Sequence, residues 1–209
     1  MNSVRIVTPP SIFPITLKEA KAWCKVVLPD GDTREDTSFK MLLGAMARHA
    51  EHLTGRAFCE RTLEYSADCF GYEVFLPQPP LIEVQAIYYS DTLDVEQIVD
   101  PAIYLVDLRS EPGRVKGASG KSWPTLGTGY NPVRYRYRAG YLPPESPPDP
   151  DSEDRSWIPE EVRLWIQQRI VTIYNNREVT AFGFHTTQEF PRSQHDALLD
   201  SLMLGDRRF

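Results

Sequence analysis

Ala50-Glu51-His52-Leu53-Thr54-Gly55-Arg56 closes one pattern, and Arg61-Thr62-Leu63-Glu64-Tyr65-Ser66-Ala67 opens another. Before the first phrase, Phe39, Leu42, Leu43, Met46, Ala50 and Leu53 recur near the 3.6-residue period, which predicts a helix from about Asp36 to Thr54. Gly55 suits its end, because glycine tolerates the left-handed conformation a helix C-terminus asks for. After Arg61 the period falls to two: Leu63, Tyr65 and Ala67 alternate with Thr62, Glu64 and Ser66. That alternation predicts a half-buried strand. A helical part therefore gives way to a β part within a few residues.

Working towards the N-terminus, Thr16-Leu17-Lys18-Glu19 has the spacing of a capping box and predicts a short helix reaching about Val26. Working towards the C-terminus, residues 74–76 form a short strand stopped by Pro77, Pro79 and Pro80. Ile82, Val84, Ala86 and Tyr88 make the next strand face, and residues 103–106, 113–116 and 133–141 are further strands with connections short enough to be antiparallel. Residues 142–156 hold five prolines and five acidic residues and read as a surface linker. Pro159, Glu160 and Glu161 then start a helix about 30 Å long with a stripe of Val162, Trp165, Ile166, Ile170 and Ile173. A last short helix spans residues 197–204.

The expected fold is α+β: a helical bundle built from N- and C-terminal helices, with a small, mostly antiparallel β unit inserted between them. The expected parts are residues 1–60 (helical), 61–141 (β unit), 142–156 (linker) and 157–209 (helices completing the bundle, and a tail).

The chain has 209 residues, 41% of them hydrophobic, and a net charge of −6. It can bury a core, and its charge disfavours a binder that relies on phosphate attraction. No run of about 18 apolar residues is present, so no membrane span is expected, and the first 14 residues lack the apolar stretch of a secretory signal. Cys24, Cys59 and Cys69 have no C-x-x-C spacing and read as reduced thiols.

Motifs for chemistry fail one by one. Gly120-Lys121-Ser122 lacks the earlier glycine and the following helix of a phosphate loop. Asp30 and Asp32 would begin a calcium loop, but Arg34 stands at the third ligand position. His49 and His52 share a helical face without an evident third zinc ligand. No catalytic residue, cofactor or metal site is expected. Two features could serve contact instead. Arg134, Arg136 and Arg138 alternate with Val133, Tyr135 and Tyr137, so one strand face carries three guanidinium groups. They suit phosphate, acidic residues of a neighbouring subunit, or plain solvent. In the tail, Phe184, Phe190, Leu198, Leu199 and Leu202 either pack on the core or dock on another protein.

Several phrases in order carry a resemblance. Pro14-Ile15-Thr16-Leu17-Lys18-Glu19-Ala20-Lys21, the phrase from Ala50 to Arg56, and Leu76-Pro77-Gln78-Pro79-Pro80 with Ile82, Val84 and Ile87-Tyr88-Tyr89 come first. Arg138-Ala139-Gly140-Tyr141 and Ile158-Pro159 leading to Tyr174-Asn175-Asn176-Arg177-Glu178 follow. Together they resemble the head–tail connector (adaptor, or head-completion) proteins of tailed bacteriophages. The linker is longer and richer in proline than that family's pattern, and the tail after Glu178 carries no family motif. The resemblance implies a structural virion protein at the head–tail interface, reaching it from the host cytoplasm during assembly. It implies a ring of copies, twelve-fold like the portal, that contacts the portal and a tail or stopper protein. Packaged DNA would pass through without specific binding. The alternatives are a nucleic-acid-binding module using the arginine strand and an enzyme without a recognisable motif.

Overall fold

In the computed structural model, which describes residues 3–26, 32–143, 154–175 and 196–204, Thr16 caps the first helix as its spacing predicts. Its hydroxyl accepts from Glu19 N (3.1 Å), and Glu19 Oε2 accepts from Thr16 N (2.7 Å). The other carboxylate oxygen of Glu19 takes Arg163 at 2.9 Å, so one side chain both caps a helix and ties it to a distant one.

The chain begins with strand β1 (Ser3–Thr8), followed by α1 (Leu17–Trp23) and α2 (Asp36–Thr54). Gly55 ends α2 with φ of +72°, the left-handed geometry expected of it. Then come β2 (Arg61–Ala67), β3 (Glu73–Phe75), β4 (Leu81–Ser90), β5 (Glu96–Ile98), β6 (Tyr104–Asp107), β7 (Arg114–Gly117) and β8 (Val133–Ala139). Helix α3 (Glu160–Asn175) and a short 3-10 helix (Ala197–Leu202) complete the described chain. The fold is α+β, with antiparallel sheets, as expected.

Two apolar clusters divide the interior. Phe39, Leu43, Phe58, Ile158, Trp165, Ile166 and Leu199 are among the buried residues that unite α1, α2, α3 and the 3-10 helix. The second cluster lies between a five-stranded sheet, ordered β1-β2-β8-β4-β5, and a three-stranded sheet, ordered β3-β7-β6. Tyr135 and Tyr137 project from the central strand β8 into it, and Tyr137 Oη donates to Pro77 O at 2.8 Å.

The structure differs from the sequence reading at several elements. On β4 the face expected of Ile82, Val84, Ala86 and Tyr88 is not the buried one: irregularities after Leu81 and Val84 turn Leu81 and Ile87 inward and set Ala86 and Tyr88 opposite Arg136 and Arg134. Strand β5, paired to the end of β4, was not expected. Strand β1 was not foreseen: five of its six residues are exposed at the sheet edge, so no buried face marks it, and pairing with β2 decides their state. Residues 3–8 thus join the sheet rather than the helical part. Helix α1 stops at Trp23, and the last helix is of the tighter 3-10 kind. On α3, Ile173 is 39% exposed and leaves the apolar stripe.

Gly140 joins sheet to helices. Its φ is +120°, and a Cβ there would lie 2.6 Å from the carbonyl of Cys59, so only glycine lets the two backbones approach.

Candidate functional site

Strand β8 alternates strictly. Val133, Tyr135, Tyr137 and Ala139 are buried, while Arg134, Arg136 and Arg138 are half-buried on the other face. The single face inferred for the three arginines is therefore real. Its surroundings come from neighbouring strands. In the antiparallel register Arg136 lies between Glu64 of β2 and Ala86 of β4, and Arg5 of β1 stands opposite Glu64 on the far side.

Glu64 is the centre of this face, with a side chain only 1% exposed. Its Oε2 accepts from Arg136 Nη2 at 2.9 Å, its Oε1 pairs with Arg5 Nη2 at 2.6 Å, and Arg134 Nη1 lies 3.7 Å from Oε1. Burial pushes its carboxyl up, but the Arg136 hydrogen bond and the Arg5, Arg134 and Arg136 charges outweigh this and hold it below the usual range. Arg134 also pairs with Glu96, and Arg138 binds Glu60 closely and Glu83 at 3.0 Å. Those two carboxylates raise the Arg138 guanidinium above its ordinary value. The Tyr88 ring lies under Arg136, 4.9 Å from ring centroid to guanidinium carbon.

The face is thus a lattice of alternating charge, with no guanidinium left to offer its full charge to a phosphate. Nucleic acid would have to displace carboxylates that are already in contact. Glu64 was legible as part of the polar half of β2, but only the tertiary fold sets it, with Glu60, Glu83 and Glu96, beside the arginines.

The tail residues separate. Leu199 is fully buried in the helical core, and Leu198 and Leu202 pack against that core. Leu199 therefore cannot be an interface residue, because no surface of it remains for a partner. Asp196 locks this segment down, accepting from Trp165 Nε1 at 3.1 Å and Arg169 Nη2 at 2.8 Å, while Arg56 Nε donates to Leu202 O at 2.6 Å. Phe184 and Phe190 lie outside the described residues, as does most of the acidic linker.

The remaining candidates do not gather. His49 stacks on Trp165, with 5.6 Å between ring centroids, and His52 is exposed. Among the described residues no three metal-capable side chains cluster. Burial, and then the nearby Glu51 carboxylate, push the Cys59 thiol up to about 12, the opposite of an activated nucleophile. No described helix is long and apolar enough to cross a membrane.

Comparison of the whole fold with solved structures gives a consistent set of matches. A chain in the neck of an empty GTA particle, computed with C6 symmetry, superposes with a TM-score of 0.74 at 18% identity. The match covers 99% of this chain and 100% of that one. This is the fold of a gene transfer agent neck chain. A chain of the native gene transfer agent virion matches with a TM-score of 0.66 at 19% identity, covering 98% and 99% of the two chains. One from the neck of the native GTA particle, computed with C12 symmetry, gives 0.62 at 18% identity, with both chains covered completely. No family model and no curated protein sequence matches the chain.

Proposed function

We propose that this protein is a structural component of a phage-like particle: a head–tail connector that forms a ring below the portal, extends the DNA channel and docks the tail or a stopper. The observation that carries this reading is the fold match to gene transfer agent neck chains, which covers 99% or more of this chain and all of the matched ones. A protein of this kind acts by shape. Identical copies meet through heterologous head-to-tail contacts, and rotation closes them into a ring. Neck structures with C6 and C12 symmetry support such closure.

The site chemistry agrees with a mechanical role. The one buried thiol is held protonated, and the densest charge cluster is spent on internal pairing. Arg134, Arg136 and Arg138 can still contribute to a subunit contact, since their outer edges remain partly exposed and neighbouring charges can be shared across an interface. Phe184 and Phe190 belong to the segment proposed to reach a partner. With a net charge of −6, a bore lined by acidic groups would repel DNA phosphates and let the genome slide.

The test is to image particles made with and without this chain. The expected result is a ring of its copies at the portal exit, and particles lacking it that lose DNA or fail to take tails. Particles that mature normally without the chain would end this reading.

A further inference from the structure

A second surface, away from the arginine face, is built of different materials. At the far end of the sheets from the helical core, a cleft of about 510 Å³ is lined by Phe70, Tyr72, Leu105, Lys116, Lys121 and Trp123. The Phe70 and Trp123 rings stack 4.5 Å apart and nearly parallel, forming its floor. Tyr72 is 95% exposed and Leu105 52% exposed, so the cleft presents apolar surface to an incoming chain. Lys116 and Lys121 have no carboxylate partner among the described residues, in contrast to the neutralised arginines of β8.

We propose that this cleft receives the proline-rich acidic segment, residues 144–151, of a neighbouring copy of the chain. The inference rests on the ring reading above and names one contact within it. Pro144, Pro147 and Pro150 are spaced by three. In a polyproline II helix, with three residues per turn, they share one face, and such faces dock on aromatic-lined grooves at low entropic cost. Glu145, Asp149 and Asp151 stand on the remaining faces, where they can meet Lys116 and Lys121.

The donor is a neighbour because the chain's own segment is too short. Its two ends are fixed at the helical end of the sheet. Tyr141 bridges to Cys59, and Arg155 Nε donates to Phe13 O. The cleft lies beyond the opposite end of β8, where Phe70 packs on Tyr89 and Tyr89 faces Val133. Seven strand residues separate the two ends by about 20 Å. Pro144 lies three residues beyond Tyr141 and Asp151 four before Arg155, so at full extension they reach only about 10 and 14 Å from those anchors, short of the cleft.

The test uses the full chain with labelled tryptophan, whose four indole N–H signals are resolved by NMR and assigned with Trp123→Phe. A synthetic peptide of residues 142–154 is titrated in. The expected result is a saturable shift of the Trp123 signal, weakened at least fivefold by K116E/K121E and abolished when Pro144, Pro147 and Pro150 of the peptide become serine. An unmoved Trp123 signal at millimolar peptide, or a shift indifferent to the lysines, overturns the proposal. So does a Trp123 shift caused by D149N/D151N within the full chain that persists unchanged on dilution, which would place the segment in its own cleft. Binding is read on the dissolved protein, so its failure leaves the neck role standing, and failure of the neck role leaves the binding result standing.

Discussion

Arg61, at the first position of β2, holds both carboxylate oxygens of Glu51 in the last turns of α2: Nη1 meets Oε2 at 3.0 Å, and Nη2 closes on Oε1. Both side chains are nearly enclosed, at 6% and 12% exposure, and Glu51 Oε1 also accepts from Phe58 N at 3.1 Å. This pair fastens the helical core to the sheet at the point where the chain changes from one to the other. A buried pair is costly to break on one side, because the survivor stays charged and enclosed.

Glu51→Gln is accordingly expected to lower unfolding free energy by about 3 kcal/mol, read from urea denaturation at pH 7. Replacing both partners, as in E51Q/R61M, should cost less than the single change, since no bare guanidinium remains.

Acid should act through Glu64. Its folded-state carboxyl is held below the ordinary value, so the stability it contributes is fully present above about pH 4.3, where the unfolded carboxyl titrates. That contribution is lost as pH falls through the lower folded value. Glu64→Gln should cost about 2 kcal/mol at pH 7, discounted for the partial exposure of its arginines, and should flatten the loss between pH 5 and pH 3. Urea titrations of both proteins across that range check the slope.

Thiol labelling should be ordered by burial. Cys69 is exposed, whereas Cys59 is buried with its thiol pushed up to about 12. Iodoacetamide at pH 8 is expected to modify Cys69 in the native protein and Cys59 only after unfolding, as peptide mass spectra would show.

The 3-10 helix should be part of the folding unit. Leu199→Ala leaves a cavity against the α2–α3 core and is expected to cost about 3 kcal/mol, measured by thermal unfolding. Stopping the chain before Asp196 should destabilise it further, because Trp165 and Arg169 lose their carboxylate partner.

The sequence was most informative where the signal is local. Thr16 and Glu19 cap α1 with the predicted reciprocal bonds, and Gly55 takes the left-handed end of α2. The alternation around Tyr135 and Tyr137 correctly divides β8 into a buried and an outward face. Where pairing decides, the sequence was silent. Five of the six residues of β1 and all three of β5 are exposed, so neither has a buried face to mark it, and each is a strand because a neighbour offers a ladder. The same holds for the candidate site. Three arginines on one face could be seen, but Glu64, Glu83 and Glu96 reach them from other strands and Glu60 from the residue before β2.

By itself the amino-acid order determined helices α1, α2 and α3, six of the eight described strands, and the buried faces of β2 and β8. Those properties follow from backbone periodicity and end-capping within a few residues. The tertiary structure alone decided that the arginine face is neutralised, that Leu199 is core, and that Glu51 clamps Arg61. Each of these depends on groups far apart in the chain meeting at hydrogen-bonding or van der Waals distance, and only the packed fold sets that separation.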